Sequence, residues 1–284
     1  MDNAAKVALI KRLSGDIHRR LSEGPAAALD GPTACAEWDV GTVAAHLAGG
    51  AIRQRDAMLR GRDGNGGPPP GEETQPTPDQ VQQSNAVNNV QTRNEWGDAL
   101  LDNFQQGYES LDDTLQSWSD WSIGCWHRRR GTITAESYVD LRIQELVIHD
   151  WDIRSGGIGV GELDGEGIVA LLPASGMWYQ LCFRPTAPLT TPATYRFDIG
   201  GGSEGAALQH DVVVTGDGFT VSECSPERQP ELTVRANAGT YLLCLYNRVD
   251  WNTAKRAGRI RVSQTADTIA HVALRNLGRW FGGL

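Results

Sequence analysis

The chain has 284 residues, of which 40% are hydrophobic and 21% are charged, so it can bury one large core or two smaller ones. Its formal charge of −9 gives no bulk electrostatic reason to expect nucleic acid as a partner. No apolar run is long enough to cross a bilayer, and the N-terminal residues alternate charged and apolar side chains instead of forming a signal peptide. We therefore expect a cytoplasmic protein that has no membrane partner.

The cysteine and lysine contents bear on disulfide formation and on the type of genome that encodes the protein. The five cysteines are odd in number, scattered and free of any CxxC pair. This pattern predicts reduced thiols, most of them in the core, and neither a disulfide framework nor a cysteine zinc site. Of the 26 basic residues only Lys6, Lys11 and Lys255 are lysines, a bias typical of GC-rich bacterial genomes.

The first two helices are predicted from the helical spacing of their apolar residues. Residues 5–23 keep this spacing, and Gly24 is followed by a proline that ends the run. A second helix starts at Asp39, a good N-cap, and ends near Gly61. His46 lies beside its apolar stripe among three alanines, whose small side chains let another helix approach closely.

A loop and a long helix are predicted next. Residues 61–76 are rich in Gly, Pro and acidic residues, which predicts a mobile loop over one end of a helical bundle. Thr77 and Pro78 resemble an N-cap followed by proline at the first helical position, and the helical period then continues to Trp118. In residues 118–130 (WSDWSIGCWHRRR), the aromatic residues either line a pocket mouth or cover the bundle end. The three arginines of this segment either attract an anion or are solvated.

The fourth helix, residues 138–154 (YVDLRIQELVIHDWDIR), carries the candidate site. Its apolar residues are too dense for a surface helix, yet Glu145, His149 and Asp152 stand at i, i+4 and i+7 and share one face. Burying a carboxylate beside an imidazole costs free energy unless the two groups pair with each other or bind a cation. His46 adds a possible third ligand, which gives a two-His, one-carboxylate set of the kind that holds catalytic zinc. Four long helices with such residues facing inward predict a four-helix bundle.

After residue 158 the pattern changes to a second domain. Residues 168–181, 238–247 and 266–281 have helical patterns, and five short β-rich runs lie between residues 194 and 264. The predicted fold class is thus α plus α+β, with a helical bundle in residues 1–158 and a smaller α+β domain in residues 159–284. Arg248 ends the apolar run TYLLCLYNR, where it either caps the preceding helix or binds an anion.

Two motifs resemble those of a known family. Trp38-Asp39-Val40 followed by His46 is similar to the W-x-V-x5-H signature of the mycothiol-dependent maleylpyruvate isomerase family, a branch of the DinB-like four-helix bundles. The stretch from Glu145 through His149 to Asp152 is similar to the same family's E-x3-H-x-W-D motif. The resemblance implies that His46, Glu145 and His149 bind zinc or another divalent metal.

The resemblance extends more weakly to the C-terminal domain. The segment LLCLYNR is similar to a sterol-carrier-like second domain in which the arginine follows a glycine, whereas Arg248 follows Asn247 here. Residues 61–76 resemble an insertion in a region that is usually short.

The implied function is that of an enzyme that activates a low-molecular-weight thiol, mycothiol, for reaction with a small electrophilic substrate. In an isomerase the thiolate adds to an activated cis double bond, allows rotation and leaves, whereas in a mycothiol S-transferase it stays attached. Arg248 is the candidate for holding the negative charge of the substrate or cofactor, and Asp152 either acts as a base or orients a histidine. A metal-bound water would instead make the chain a hydrolase, and a closed site would make it a non-catalytic metal- or ligand-binding module.

Overall fold

The structure, a computed structural model, describes residues 1–35, 38–156, 161–200, 205–266 and 268–282. It divides into two units, residues 1–170 and 171–284, and the predicted boundary after residue 158 lies outside the described residues. The first unit contains helices α1 Asn3–Glu23, α2 Val40–Arg62, α3 Pro78–Trp96, α4 Leu100–Gln116 and α5 Ala135–Ser155. It also contains strands β1 Gly124–His127 and β2 Gly131–Thr134, and helix α6 Gly165–Cys182 continues from it into the second unit.

Helices α1, α2, α4 and α5 pack against one another as the predicted four-helix bundle. Two of these helices begin at the N-cap residues that we predicted. Asp39 accepts a hydrogen bond from the Thr42 amide at 2.8 Å, and Thr134 accepts one from the Ser137 amide at 3.2 Å. Gly156 has φ 54° and ψ 30°, the left-handed conformation that ends α5.

The prediction of one continuous third helix is wrong, because α3 and α4 are separated by a short 3-10 turn, Gly97–Ala99. Gly97 has φ 47° and ψ −124°, a backbone conformation that is open to glycine and breaks the helix. Helix α3 packs on α2 outside the four bundle helices. The exposed fractions of Val87 and Val90 are 65% and 39%, so the apolar period that we extended through α3 does not mark a core face.

The segment between α4 and α5 was predicted as a loop, but it contributes to a β-hairpin. Strands β1 and β2 pair antiparallel, with Gly124 opposite Thr134. Residues 63–77 contain no helix or strand, as their composition predicted, and they contact the hairpin. Thr132 Oγ1 donates to the Gly66 carbonyl at 2.9 Å, and Trp126 Nε1 donates to Glu72 Oε2 at 3.1 Å. Trp126 is 8% exposed, so it packs between the hairpin and the loop.

The second unit is built on a five-stranded sheet in the order β5-β4-β3-β6-β7. Its strands are β3 Ala193–Ile199, β4 Leu208–Val214, β5 Phe219–Ser222, β6 Leu232–Ala236 and β7 Ile260–Gln264, and its helices are the end of α6 with α7 Ala238–Leu245, α8 Trp251–Arg256 and α9 Ala270–Phe281. Strands β3 and β6 are parallel and the other neighbours are antiparallel. The five β-rich runs are therefore strands, which confirms the α plus α+β fold class, although α8 was not predicted. Among the described residues, no helix is both long and apolar enough to span a bilayer.

Candidate metal centre

Helices α2 and α5 bring the three predicted ligands together. His46 Nε2 lies 2.8 Å from Glu145 Oε2, and His149 Nε2 lies 3.4 Å from the same oxygen. One nitrogen of each histidine and one carboxylate oxygen of Glu145 all lie within 4.8 Å of one another. Two imidazole nitrogens and a carboxylate oxygen at this separation match the donor set of a catalytic zinc site that keeps an open position.

The second nitrogen of His149 is held by Asp152. His149 Nδ1 lies 2.8 Å from Asp152 Oδ2, and the Asp152 side chain is fully buried, with 0% exposure. Glu145 and Asp152 therefore contact different nitrogens of the same imidazole. A carboxylate in this position fixes the tautomer and the orientation of a metal-binding histidine. The Trp38 ring packs on both histidines, at centroid distances of 5.0 Å from His46 and 6.0 Å from His149.

The second nitrogen of His46 is held by Asn89, a residue that the sequence analysis did not single out. Asn89 Nδ2 lies 3.1 Å from His46 Nδ1, and Asn89 is one of two buried residues on α3. When Nε2 donates to Glu145, the Asn89 amide donates to Nδ1. When Nε2 is a metal ligand, Nδ1 carries the proton, and the amide can rotate to present its oxygen as the acceptor. Asn89 can thus support either tautomer of His46.

The electrostatics of this cluster favour positive charge beside Glu145. Burial acts to raise the pKa of Glu145, but hydrogen bonds and charges from His149 and His46 outweigh burial and hold this pKa well below its usual range. Burial acts to lower the pKa of His149, but hydrogen bonds with Asp152, Cys35 and Glu145 raise it well above its usual range. The pKa of His46 is lowered because burial outweighs its contact with Glu145. A proton on His149 thus supplies the positive charge that a cation could supply instead.

Comparison with known proteins gives the family. The sequence profile of the mycothiol maleylpyruvate isomerase N-terminal domain matches residues 11–154, which is half of the chain. The chain belongs to this family. Our identification from the two motifs is confirmed, and with it the prediction that the chain belongs to an enzyme family. No protein of curated function matches significantly.

Solved structures share the fold. A mycothiol-dependent maleylpyruvate isomerase matches with a TM-score of 0.59 at 16% identity, and the match covers 93% of each chain. A histidine-to-alanine mutant of a mycothiol-dependent maleylpyruvate isomerase gives a TM-score of 0.57 at the same identity and coverage. A sterol carrier protein 2-like protein from Aedes aegypti covers 38% of this chain and 92% of its own, with 20% identity and a TM-score of 0.26.

The family motifs do not include Cys35, which the structure brings next to the two buried motif residues. Cys35 Sγ donates to Asp152 Oδ2 at 3.1 Å and lies 3.9 Å from His149 Nδ1. Cys35, His149 and Asp152 form a second group with metal-ligand spacing, which shares His149 with the first group. Both groups contain a carboxylate that contacts His149. We take the group that contains His46 and Glu145 as the candidate metal centre, because all three of its residues belong to the two family motifs.

Arg248, the predicted anion-binding residue, lies in the second unit just after α7. Its Nη1 donates to the Tyr246 carbonyl at 3.1 Å, as expected of an arginine that caps a helix end. Asn247 has φ 57°, the left-handed conformation that asparagine tolerates better than most residues. Asparagine can therefore take the place of the family's glycine before the arginine, and a role for Arg248 in binding stays a prediction.

Proposed function

We propose that the chain is a metal-dependent enzyme that uses mycothiol as the nucleophile on a small electrophilic substrate, by isomerisation or, alternatively, by S-transfer. The observation that carries this proposal is the convergence of His46, Glu145 and His149 donor atoms within 4.8 Å. Family membership supports the thiol and the class of reaction. The donor set supports zinc as the metal, because borderline ions with no preferred geometry suit mixed nitrogen and oxygen ligation.

The residues around the ligands fit a bound metal. Asp152 and Asn89 contact the Nδ1 atoms of His149 and His46, which leaves each Nε2 directed toward Glu145. A divalent ion with an open position would lower the pKa of a thiol bound to it, so that thiolate forms near neutral pH. The chain's task is then to keep both imidazoles oriented and the Glu145 carboxylate ionised, and the lowered pKa of Glu145 serves the second requirement.

The surroundings of Asp152 favour a thiol-dependent reaction over hydrolysis. A hydrolase needs a general base facing the metal-bound water. Asp152, our only candidate for that base, is fully buried and contacts His149 on the Nδ1 side, whereas Glu145 contacts the Nε2 side. These contacts support a positioning role for Asp152.

Metal content tests the first part of the proposal. Elemental analysis of the purified protein is expected to find near-stoichiometric divalent metal, and His149→Ala is expected to lose most of it. His18→Ala is the matched control, because His18 is a half-buried bundle histidine whose Nε2 lies near Ser22 rather than in the cluster. Full metal occupancy in a variant that lacks both His46 and His149 would refute the assignment.

Thiol dependence tests the second part. The metal-loaded protein is expected to gain thermal stability with mycothiol and to gain less with glutathione, because a specific ligand stabilises the native state by mass action. Turnover of maleylpyruvate and of other small electrophiles is then measured with and without mycothiol. A full rate in the absence of any thiol would refute the proposal and favour a hydrolase.

A further inference from the structure

Two arginines lie on the same helix faces as the metal ligands. Arg142 precedes Glu145 by three residues on α5, and Arg53 follows His46 by seven residues on α2. These spacings keep each arginine on the face of its neighbouring ligand, about 4.5 Å and about 10 Å away along the helix axes. Because His46 contacts Glu145 while Gln54 contacts Arg142, the two helices run antiparallel, and both arginines lie on the same side of the metal centre.

Consecutive glycines in α2 make room for the two guanidinium groups. A Cβ atom at Gly50 would lie 2.8 and 2.9 Å from Arg142 Nη1 and Nη2, and a Cβ atom at Gly49 would lie 3.2 Å from Arg53 Nη1. Each glycine inside a helix costs about 1 kcal/mol relative to alanine. The space that these glycines leave open is occupied by the two cations, which therefore lie against the same turn of α2.

Neither guanidinium is neutralised by a carboxylate among the described residues. Arg142 is 5% exposed, and its Nε donates to the neutral Gln54 Oε1 at 2.9 Å while its Nη1 lies 3.5 Å from the Leu47 carbonyl. Arg53 makes no side-chain hydrogen bond or ion pair with another described residue. For the buried Arg142 the lack of an opposite charge is costly, because burial removes the guanidinium from water without a compensating ion pair.

The electrostatic environment of Arg53 also favours the binding of an anion. Burial by the surrounding protein and the nearby charge of Arg142 lower the pKa of Arg53, while Tyr138 and Glu145 act in the opposite direction. Arginine nevertheless stays protonated in proteins. The Arg53 side chain itself is exposed to solvent. Arg53 is therefore accessible to a ligand from solvent.

We propose that Arg53 and Arg142 form a carboxylate-binding site beside the metal centre and hold an acidic group of the substrate. Guanidinium groups bind carboxylates through paired, charge-assisted hydrogen bonds. The reading of the bound carboxylate as substrate rests on the proposed function. This site belongs to the first unit and does not require Arg248.

Maleate, a small dicarboxylate, is the probe. Isothermal titration of the metal-loaded, full-length protein is expected to show maleate binding that weakens at least about tenfold in Arg53→Gln, the loss typical of one charge-assisted hydrogen bond. Gly50→Ala is expected to weaken binding similarly, because the added methyl group displaces Arg142 without removing a charge. Arg55→Gln is the matched control, since the Arg55 guanidinium is paired with Asp56 on the same helix.

Arg142→Gln also removes hydrogen bonds that connect α2 and α5, so its folding is checked by thermal melting before its affinity is interpreted. Gly50→Ala displaces the same guanidinium, so its folding is checked in the same way. Arg53→Gln removes no hydrogen bond between described residues and is the more direct test. Unchanged maleate affinity in both variants would overturn the inference. Inorganic phosphate that binds the wild-type protein as tightly as maleate would overturn the assignment to a carboxylate.

Metal content separates this inference from the proposed function. If the wild-type protein binds no metal but maleate binding still depends on Arg53, the anion site stands and the proposed function fails. If the wild-type protein binds metal and requires a thiol, but Arg53→Gln binds maleate as tightly as the wild type, the proposed function stands and the anion site fails. Arg53→Gln is expected to retain the wild-type metal content, because Arg53 contacts none of the three ligands.

Discussion

Replacing Asp152 with Asn removes a negative charge behind His149 and changes the shape of the side chain very little. Asp152 Oδ2 lies 2.8 Å from His149 Nδ1 and 3.1 Å from Cys35 Sγ. The amide oxygen of Asn can still accept one hydrogen bond, but it no longer stabilises positive charge on the imidazole. His149 becomes a weaker base and a less firmly oriented ligand, so we expect metal affinity to fall while the fold is retained.

The magnitude of this loss distinguishes a supporting residue from a ligand. Partners that hydrogen-bond to metal-binding histidines typically contribute about 10- to 100-fold in metal affinity, which corresponds to about 1.4 to 2.7 kcal/mol. Asp152 is fully buried and its hydrogen bond to His149 is charge-assisted, so we expect a value of roughly 2 kcal/mol. A much larger loss is expected if Asp152 binds the metal itself.

The measurement is competition for the metal with a chelator, made on protein that thermal melting shows to be folded. Asp150→Asn is the matched control, because Asp150 is also buried on α5 but pairs with Arg20 and Arg154. Both variants lose a buried carboxylate, so the difference between their affinities isolates the contact with His149. Wild-type affinity in Asp152→Asn would refute the positioning role. A loss far above 100-fold, repeated in Cys35→Ser, would instead move the metal to the cysteine-containing group.

Three further predictions concern other parts of the chain. Limited proteolysis is expected to cut first within residues 61–76, whose composition cannot form a core, and protection equal to that of the helices would contradict this. Arg248→Met is expected to lower kcat/KM by roughly 1.5 to 3 kcal/mol equivalent at unchanged metal content, and an unchanged kcat/KM would remove Arg248 from the site. Burial lowers the pKa of His210 from 6.5 to about 4, so the unfolded state binds more protons between these values. Stability that is present above pH 6.5 is therefore lost as the pH falls toward 4, by roughly 3 kcal/mol. Denaturant titrations of the wild type and His210→Phe should show a smaller loss in the variant, and equal losses would contradict the assignment.

The convergence of the three candidate ligands could be predicted from sequence because these residues belong to regular helices. The spacing of Glu145 and His149 places them on one face whatever the rest of the fold does. His46 required one more step, which was the observation that its alanine neighbours leave room for a second helix. That step held because close approach of two helices depends on side-chain size, which the sequence states directly.

The residues that contact the candidate ligands, Asn89 and Cys35, could not be predicted, because the local sequence pattern does not indicate which distant residues pack against a site. Asn89 lies on a mostly exposed helix, and Cys35 lies outside the described helices and strands, so both reach the site only through tertiary packing. The break at Gly97 was missed because the apolar period continues across it by coincidence. Arg142 did leave a signal, since an arginine inside an otherwise apolar helix indicates a buried cation.

The burial of α5 connects the metal centre to the proposed anion site. Arg142, Glu145, His149 and Asp152 occupy successive turns of a helix that is buried on most of its surface, which makes it one of the least mobile elements of the bundle. Distances along such a helix are set by its rise of about 1.5 Å per residue and not by loop conformation. If a substrate carboxylate binds at Arg142 as proposed, its reactive atoms must reach from that guanidinium to the side chains of Glu145 and His149, one and two turns further along α5. Acids too short to bridge this separation are then expected to bind without reacting.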